Sequence, residues 1–104
     1  MKFKKNKLYI ENISADNIVT KFGSPTYCYS LKKLKENIKK FKNNFKKIKP
    51  LICFSVKSNS NDAILKEIKL AGLGADVVSM GELLKALKNG ISARKIVFSG
   101  VGKS

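Results

Sequence analysis

Histidine and tryptophan are absent from this sequence of 104 residues, which has only two cysteines, Cys28 and Cys53, and one arginine, Arg94. Without histidine, and with two cysteines, the chain cannot supply a His-based or Cys₄ zinc site, a Ser-His-Asp triad or a Cys-His dyad. No apolar run reaches the roughly 18 residues of a membrane span. The basic start lacks the apolar stretch of a secretory signal. We therefore expect neither a metalloenzyme of these types nor a membrane-spanning protein.

Acidic residues are also scarce, because 7 Asp and Glu stand against 22 Lys and Arg, giving a formal net charge of +15. All basic residues but Arg94 are lysines, whereas proteins that read nucleic-acid sequence favour the planar fork of arginine. Since isoleucine and asparagine are also abundant, we interpret the lysines as the product of an A+T-biased coding sequence. The alternative is a small basic protein that binds nucleic acid or anionic surfaces non-specifically, in a salt-dependent way.

The remaining composition is that of a small folded protein. Hydrophobic residues make up 43% of the chain, and its length allows one hydrophobic core. Cys28 and Cys53 both lie in apolar runs, which predicts buried, reduced thiols and a cytoplasmic location.

The first half of the chain predicts short strands followed by one long helix. Residues 1–24 alternate loosely in polarity and predict one or two strands without a helix, and residues 25–29 predict a strand of the main sheet. Ser30 can cap a helix whose apolar residues recur every three or four positions: Leu31, Leu34, Ile38, Phe41, Phe45 and Ile48. This stripe predicts a helix packed on a core, with its lysines in solvent; an amphipathic membrane helix is the alternative.

The second half alternates regularly between strand and helix patterns. Ser79 and Glu82 form an S-x-x-E capping box at the start of a helix that Gly90 ends. The predicted elements are strands at 51–56, 75–78 and 95–99 and helices at 62–71 and 80–89. Together with the strand at 25–29, this order predicts an α/β fold with a parallel sheet of four strands and right-handed crossovers.

Lys57 is the residue that most resembles a catalytic group. It continues the apolar strand 51–56, whose alternation predicts Ile52, Phe54 and Val56 on a face packed under helices and Cys53, Ser55 and Lys57 on the other face. Lys57 would thus end the strand, and in parallel α/β folds the sites lie at the carboxyl ends of strands. A lysine that loses solvation there becomes a nucleophile toward a carbonyl, although Lys57 could also be one more solvated surface lysine. The segment 100–104, Gly-Val-Gly-Lys-Ser, resembles a phosphate loop, but Val97 stands where that motif needs glycine, so an ordinary strand end is favoured.

Several motifs in register make the chain similar to a known family over about residues 24–104. It resembles the amino-terminal part of the diaminopimelate branch of the pyridoxal-phosphate decarboxylases of fold type III, the alanine-racemase-like enzymes. The motifs are Phe-Ser-Val-Lys-Ser-Asn-Ser-Asn at 54–61, Gly-Leu-Gly-Ala-Asp-Val-Val-Ser-Met-Gly-Glu-Leu at 72–83, Gly-Ile at 90–91 and Ile-Val-Phe-Ser-Gly-Val-Gly-Lys-Ser at 96–104.

The resemblance implies a fold, a cofactor and an activity. Residues 25–104 would form the first half, about four strands, of a (β/α)₈ TIM barrel, preceded by a β segment at 1–24. Lys57 would be the catalytic lysine that binds pyridoxal 5′-phosphate covalently, with Asp76 and Glu82 as acidic residues beside the cofactor; capping its own helix is the alternative role for Glu82. The complete enzyme would be a homodimer that converts meso-diaminopimelate into L-lysine and CO₂, without a metal, a specific nucleic acid or a membrane as partner.

Two further expectations concern the site and the isolated chain. Because neighbouring parallel strands lie about 4.8 Å apart, we expect Asp76 to reach Lys57 through an ion pair or a water bridge. The groups that hold the phosphate and the pyridine nitrogen in this family lie further along the chain. We therefore expect the 104-residue chain to be a fragment without decarboxylase activity.

Overall fold

A computed structural model of the chain describes residues 1–100, which fall into two compact units. The first unit is Met1–Asn37, and the second begins at Ile38. No helix within residues 1–100 is both long enough and apolar enough to cross a membrane.

The first unit contains a small antiparallel sheet and a helix. Strands β1 (Lys2–Lys4), β2 (Lys7–Ile10) and β3 (Ile13–Ser14) pair in sequence order, and helix α1 (Ala15–Phe22) follows directly. The Ser14 hydroxyl accepts a hydrogen bond from the Asn17 amide at 3.2 Å and so caps this helix. The prediction of strands alone was therefore wrong for residues 15–22, where a serine N-cap and a following Gly23 were the local signals of a helix.

The segment 25–29, predicted as the first strand of the main sheet, has no regular secondary structure. Among the described residues no strand pairs with it, so its β-type residues are not matched by a ladder of backbone hydrogen bonds. Tyr27 is 91% exposed and Cys28 is also exposed, which contradicts the prediction of a buried thiol at that position. Helix α2 (Leu31–Phe45) follows, and its cap is as predicted, since the Ser30 hydroxyl accepts from the Lys33 amide at 3.1 Å.

The apolar stripe of α2 is more exposed than predicted. No residue of this helix is buried, and the exposed fractions of Phe41, Phe45 and Ile48 are 52%, 40% and 74%. The rings of Phe41 and Phe45 pack against each other with their centroids 5.0 Å apart. Within residues 1–100, then, the stripe is not covered by a core.

The second unit is the predicted parallel α/β arrangement. It consists of β4 (Cys53–Ser55), α3 (Asp62–Leu70), β5 (Gly74–Val77), α4 (Met80–Lys88) and β6 (Ile96–Phe98). The strands form a sheet in the order β4-β5-β6, with every pair parallel. The described residues thus contain three parallel strands where the sequence predicted four, because the segment 25–29 does not join the sheet.

One face of the sheet carries the core of the second unit. Because side chains alternate along a strand, Ala75 and Val77 point to one side, and both are completely buried. Val56, in the turn directly after β4, is also completely buried, as predicted. The remaining buried apolar residues come mostly from the helices and the segments that follow them: Ile64, Leu65, Ile68, Leu73, Ala86 and Ile91.

Helices α3 and α4 end in the same way, which sets the direction of the following strands. Gly72 and Gly90 have φ angles of 77° and 89°, a region that glycine enters without steric cost. After each glycine, the next amide bonds back across the last helical turn, from Leu73 to the Ile68 carbonyl and from Ile91 to the Ala86 carbonyl, both at 3.1 Å. These Schellman motifs reverse the chain toward β5 and β6.

Candidate functional site

Lys57 lies just beyond the carboxyl end of β4, not within the strand as predicted. The strand ends at Ser55, and Val56–Ser58 form a single 3₁₀ turn. The turn is closed by the Ser58 hydroxyl, which donates to the Ser55 carbonyl at 2.7 Å. Since strand alternation stops at Ser55, it does not determine the direction in which Lys57 points.

The Lys57 amine is accessible. The residue is exposed. The loss of solvation that would make its amine a nucleophile is therefore not found in residues 1–100. Among residues 1–100, no hydrogen bond or ion pair engages this amine, whereas other lysines bind carbonyls or carboxylates. A carbonyl compound can therefore reach this primary amine from solvent.

The loop after Lys57 is held by polar contacts. Asn59 accepts a hydrogen bond from the Asn61 amide at 2.9 Å, and Asn61 caps α3 by accepting from the Ala63 amide at 2.9 Å. The Lys85 ammonium from α4 donates to the Ser60 carbonyl at 3.2 Å. These bonds fix the loop that carries Lys57 against the neighbouring helix.

Asp76 stands on the central strand of the sheet, on the face opposite the core. It is half-buried and pairs in register with Ser55 of β4 and Val97 of β6. Its Oδ1 accepts a hydrogen bond from the Ser99 hydroxyl at 2.6 Å. The direct ion pair expected between Asp76 and Lys57 is not formed among the described residues, because Ser55 rather than Lys57 is the neighbour of Asp76 across the ladder.

Cys53 lies on the same face as Asp76, over Gly74 of β5. A Cβ at Gly74 would overlap the Lys95 carbonyl and stand 3.0 Å from the Cys53 sulfur, so glycine makes room for the thiol. Burial raises the pKa of the Cys53 thiol, and the negative charge of Asp76 raises it further. The thiol is therefore protonated and a poor nucleophile at neutral pH.

Glu82 is in the first turn of α4, which begins soon after β5. Its carboxylate accepts a hydrogen bond from the Val78 amide at 3.1 Å, and its own amide donates to the Ser79 hydroxyl at 3.2 Å. The helix-capping role that the S-x-x-E pattern predicted is confirmed. Its role beside a cofactor stays a prediction.

Asp62 links helices α3 and α4. Asp62, at the start of α3, accepts from the Asn89 side-chain amide at 2.9 Å and lies 3.5 and 3.9 Å from the ammonium groups of Lys85 and Lys88. The hydrogen bond from Asn89, followed by the two positive charges, lowers the pKa of the Asp62 carboxyl. This contact holds α3 and α4 together and so supports the loop between β4 and α3.

The structure brings the predicted residues to one edge of the sheet. Lys57, Asp76 and Glu82 all lie at or after the carboxyl ends of β4 and β5, where ligands bind in parallel α/β folds. Ser99 was not predicted from the sequence as a site residue. The available indication was its position, because it follows β6 by one residue and shares a face with Val97.

Residues 1–100 contain no group of three or more His, Cys, Asp or Glu side chains placed to hold a metal ion. The Gly-Val-Gly-Lys-Ser segment lies outside the described residues beyond Gly100.

Comparisons with known proteins identify the family. Residues 31–104 match the model of the pyridoxal-dependent decarboxylase pyridoxal-binding domain. Diaminopimelate decarboxylases from Haemophilus influenzae and Pseudomonas fluorescens are 43% and 40% identical over 98% of this chain. The chain spans about a quarter of their length, 25% and 24%.

Solved structures show the same relationship in three dimensions. Diaminopimelate decarboxylase from M. jannaschii, crystallised in complex with L-lysine, superposes with a TM-score of 0.93 at 32% identity, over 99% of this chain and 25% of that one. The Helicobacter pylori enzyme, also complexed with L-lysine, has a TM-score of 0.79 at 44% identity, over 86% of this chain and 23% of that one. The chain belongs to the pyridoxal-dependent decarboxylase family, and it matches the amino-terminal region of the diaminopimelate decarboxylases.

Proposed function

We propose that residues 25–104 form the first part of the TIM-barrel domain of a diaminopimelate decarboxylase, with residues 1–24 as a preceding β segment. The proposed enzyme removes CO₂ from meso-diaminopimelate and releases L-lysine, with pyridoxal 5′-phosphate as its cofactor. The observation that carries the proposal is the free amine of Lys57 at the carboxyl edge of a parallel sheet, in a chain of this family. The proposal includes a homodimer in the cytoplasm, as the family resemblance implies.

The residues at this edge fit part of the cofactor. Lys57 offers an exposed primary amine, the group needed to bond to an aldehyde. Asp76 offers Oδ2, which accepts no hydrogen bond among residues 1–100. When bound, pyridoxal phosphate supplies an electron sink for the charge left on carbon as CO₂ departs.

Each protein group has a distinct task in this proposal. Lys57 holds the cofactor at the edge of β4. Asp76, on the adjacent strand, accepts a hydrogen bond from a donor of the bound cofactor or substrate. Glu82 holds the start of α4 through its bond to the Val78 amide, and it adds negative charge near the carboxyl edge of the sheet.

The test is selective labelling of Lys57. The chain is incubated with pyridoxal phosphate at substoichiometric concentration, reduced with borohydride and mapped by peptide mass spectrometry. We expect Lys57 to carry several times the label of Lys66, an exposed lysine on α3 that serves as the matched control. Lys57→Ala should abolish this excess, whereas Lys66→Ala should leave it unchanged. An even distribution of label over the lysines would contradict the proposal.

The isolated chain should release no CO₂ from meso-diaminopimelate. Nothing among residues 1–100 encloses the phosphate or protonates the pyridine nitrogen, and Lys57 is exposed to water. The measurement is release of labelled CO₂ by the purified 104-residue chain, with Lys57→Ala as the control. A rate clearly above that of Lys57→Ala would show that the chain alone is catalytically competent.

A further inference from the structure

The hydrogen bond between Ser99 and Asp76 has a function that neither the sequence motifs nor the family name assigns. The Ser99 hydroxyl donates to Asp76 Oδ1 at 2.6 Å, a length typical of an O–H donor on a charged carboxylate. Each partner stands at the carboxyl end of its strand, Asp76 on β5 and Ser99 directly after β6. The bond therefore joins two neighbouring strands at the edge where Lys57 lies.

The position of Ser99 is fixed by its backbone. Its amide donates to the Val77 carbonyl at 2.9 Å and so continues the ladder between β5 and β6 by one residue. The next residue, Gly100, passes so close to β5 that a Cβ there would overlap the Val78 carbonyl. The backbone of Ser99 is thus held by the same strand that carries Asp76, which places its side chain beside the carboxylate.

The Asp76 carboxylate has neighbours on both sides. On the β4 side its partner in the register is Ser55, and Cys53, two residues earlier on the same face, has a thiol pKa that the Asp76 charge raises; on the β6 side stands Ser99. A free aspartate side chain would exchange among its rotamers. A donor on one side selects the orientation toward β6 and leaves Oδ2 without a hydrogen bond among residues 1–100.

We propose that Ser99 is a positioning residue, whose hydroxyl holds the Asp76 carboxylate toward β6 so that Oδ2 of Asp76 is presented to a ligand bound at the carboxyl edge of the sheet. The role given to Asp76 rests on the proposed function, whereas the orientation of its side chain does not. Ser99 itself acts through Asp76 and touches no reacting group.

The first test measures the orientation without any ligand. The χ1 angle of Asp76 is read from three-bond couplings between its side-chain carboxyl carbon and the backbone nitrogen and carbonyl carbon. We expect the couplings of a single rotamer in the native chain and in Ser99→Thr, which keeps the hydroxyl, and averaged couplings in Ser99→Ala. The matched control is Ser55→Ala, which removes the hydroxyl next to Asp76 on the other strand and should change nothing. Single-rotamer couplings in Ser99→Ala, or averaged couplings in the native chain, would overturn the inference.

The second test measures the consequence for the site. The half-saturating concentration of pyridoxal phosphate for labelling Lys57 should rise about threefold in Ser99→Ala, because a carboxylate that exchanges among three staggered rotamers presents Oδ2 to the ligand about a third of the time. It should return toward the native value in Ser99→Thr. An unchanged concentration in Ser99→Ala would refute the positioning role while leaving the proposed function intact. If Lys57 is not labelled selectively in the native chain, the proposed function fails, and the couplings alone decide whether Ser99 orients Asp76.

Discussion

The two faces of the parallel sheet differ in burial and in chemistry although the same three strands build them. On the face that carries the core, Ala75 and Val77 are completely removed from water. On the opposite face, Asp76 and Cys53 are half-buried and Val97 is 50% exposed. The core face therefore stabilises the fold through apolar burial. The opposite face keeps its polar groups accessible to a ligand. Alternation along each strand lets a single short sequence serve both purposes.

The same change made on each face gives the largest expected difference. Val77→Ala removes methyl groups from a fully buried site and should lower the free energy of unfolding by about 2 to 3 kcal/mol. Val97→Ala makes the same change on the neighbouring strand at a half-exposed site and should cost less than about 1 kcal/mol. Urea unfolding followed by circular dichroism measures both values. Equal losses would mean that the open face is as well packed as the other.

The electrostatic coupling on the open face can be tested through Cys53. Asp76→Asn removes the negative charge that contributes to the raised pKa of this thiol, so alkylation by iodoacetamide at pH 8 should become faster. The rate should still be slower than in the urea-unfolded chain, because burial, the larger cause of the shift, remains. Peptide mass spectrometry separates Cys53 from the exposed Cys28, whose rate serves as the internal control. An unchanged rate at Cys53 would show that Asp76 does not act on the thiol.

The smallest expected effect concerns Asp62, which links α3 and α4. The pKa of Asp62 is lowered in the folded chain, so the ionised carboxylate stabilises the fold above the ordinary range near pH 3.8, and this contribution is lost as the pH falls through the lowered value. Asp62→Asn should therefore be less stable than the native chain at pH 6, with the difference shrinking below about pH 4. Thermal unfolding at a series of pH values measures it. Asp16→Asn, on the exposed first turn of α1, is the control, and a pH-independent difference for Asp62→Asn would contradict the assignment.

Local sequence signals predicted most of the second unit. The capping box at Ser79 and Glu82, the Asn61 cap and the glycines after both helices are formed by residues within a few positions of each other, so the sequence contains all the partners they need. The burial of Val56 was predicted from the alternation of the residues before Lys57, because the period of a strand is a local property. Lys57 became the candidate through its place at the end of an apolar strand, and the family motif around it gave it a role toward the cofactor.

The predictions that failed depended on distant partners. The segment 25–29 has β-type residues, but a strand forms only where a neighbouring strand supplies hydrogen bonds, and no partner lies within residues 1–100. The helix at 15–22 was missed because its few apolar residues fit a loose alternation as well as a helical stripe. The exposure of Phe41 and Phe45 likewise depends on the surface that packs against α2. The spacing of the apolar residues in α2 does not specify that surface.

By itself, the sequence determined the helix caps and turns, the alternation of the central strands and the family, because these depend on neighbouring residues or on motifs read in order. Only the tertiary structure decided that Asp76 bonds to Ser99 rather than to Lys57, 23 positions apart along the chain but 2.6 Å apart in space. That choice follows from the register of parallel strands, which places Ser55 and Val97 beside Asp76. Register is set by the packing of whole elements against one another, and no local pattern of residues contains it.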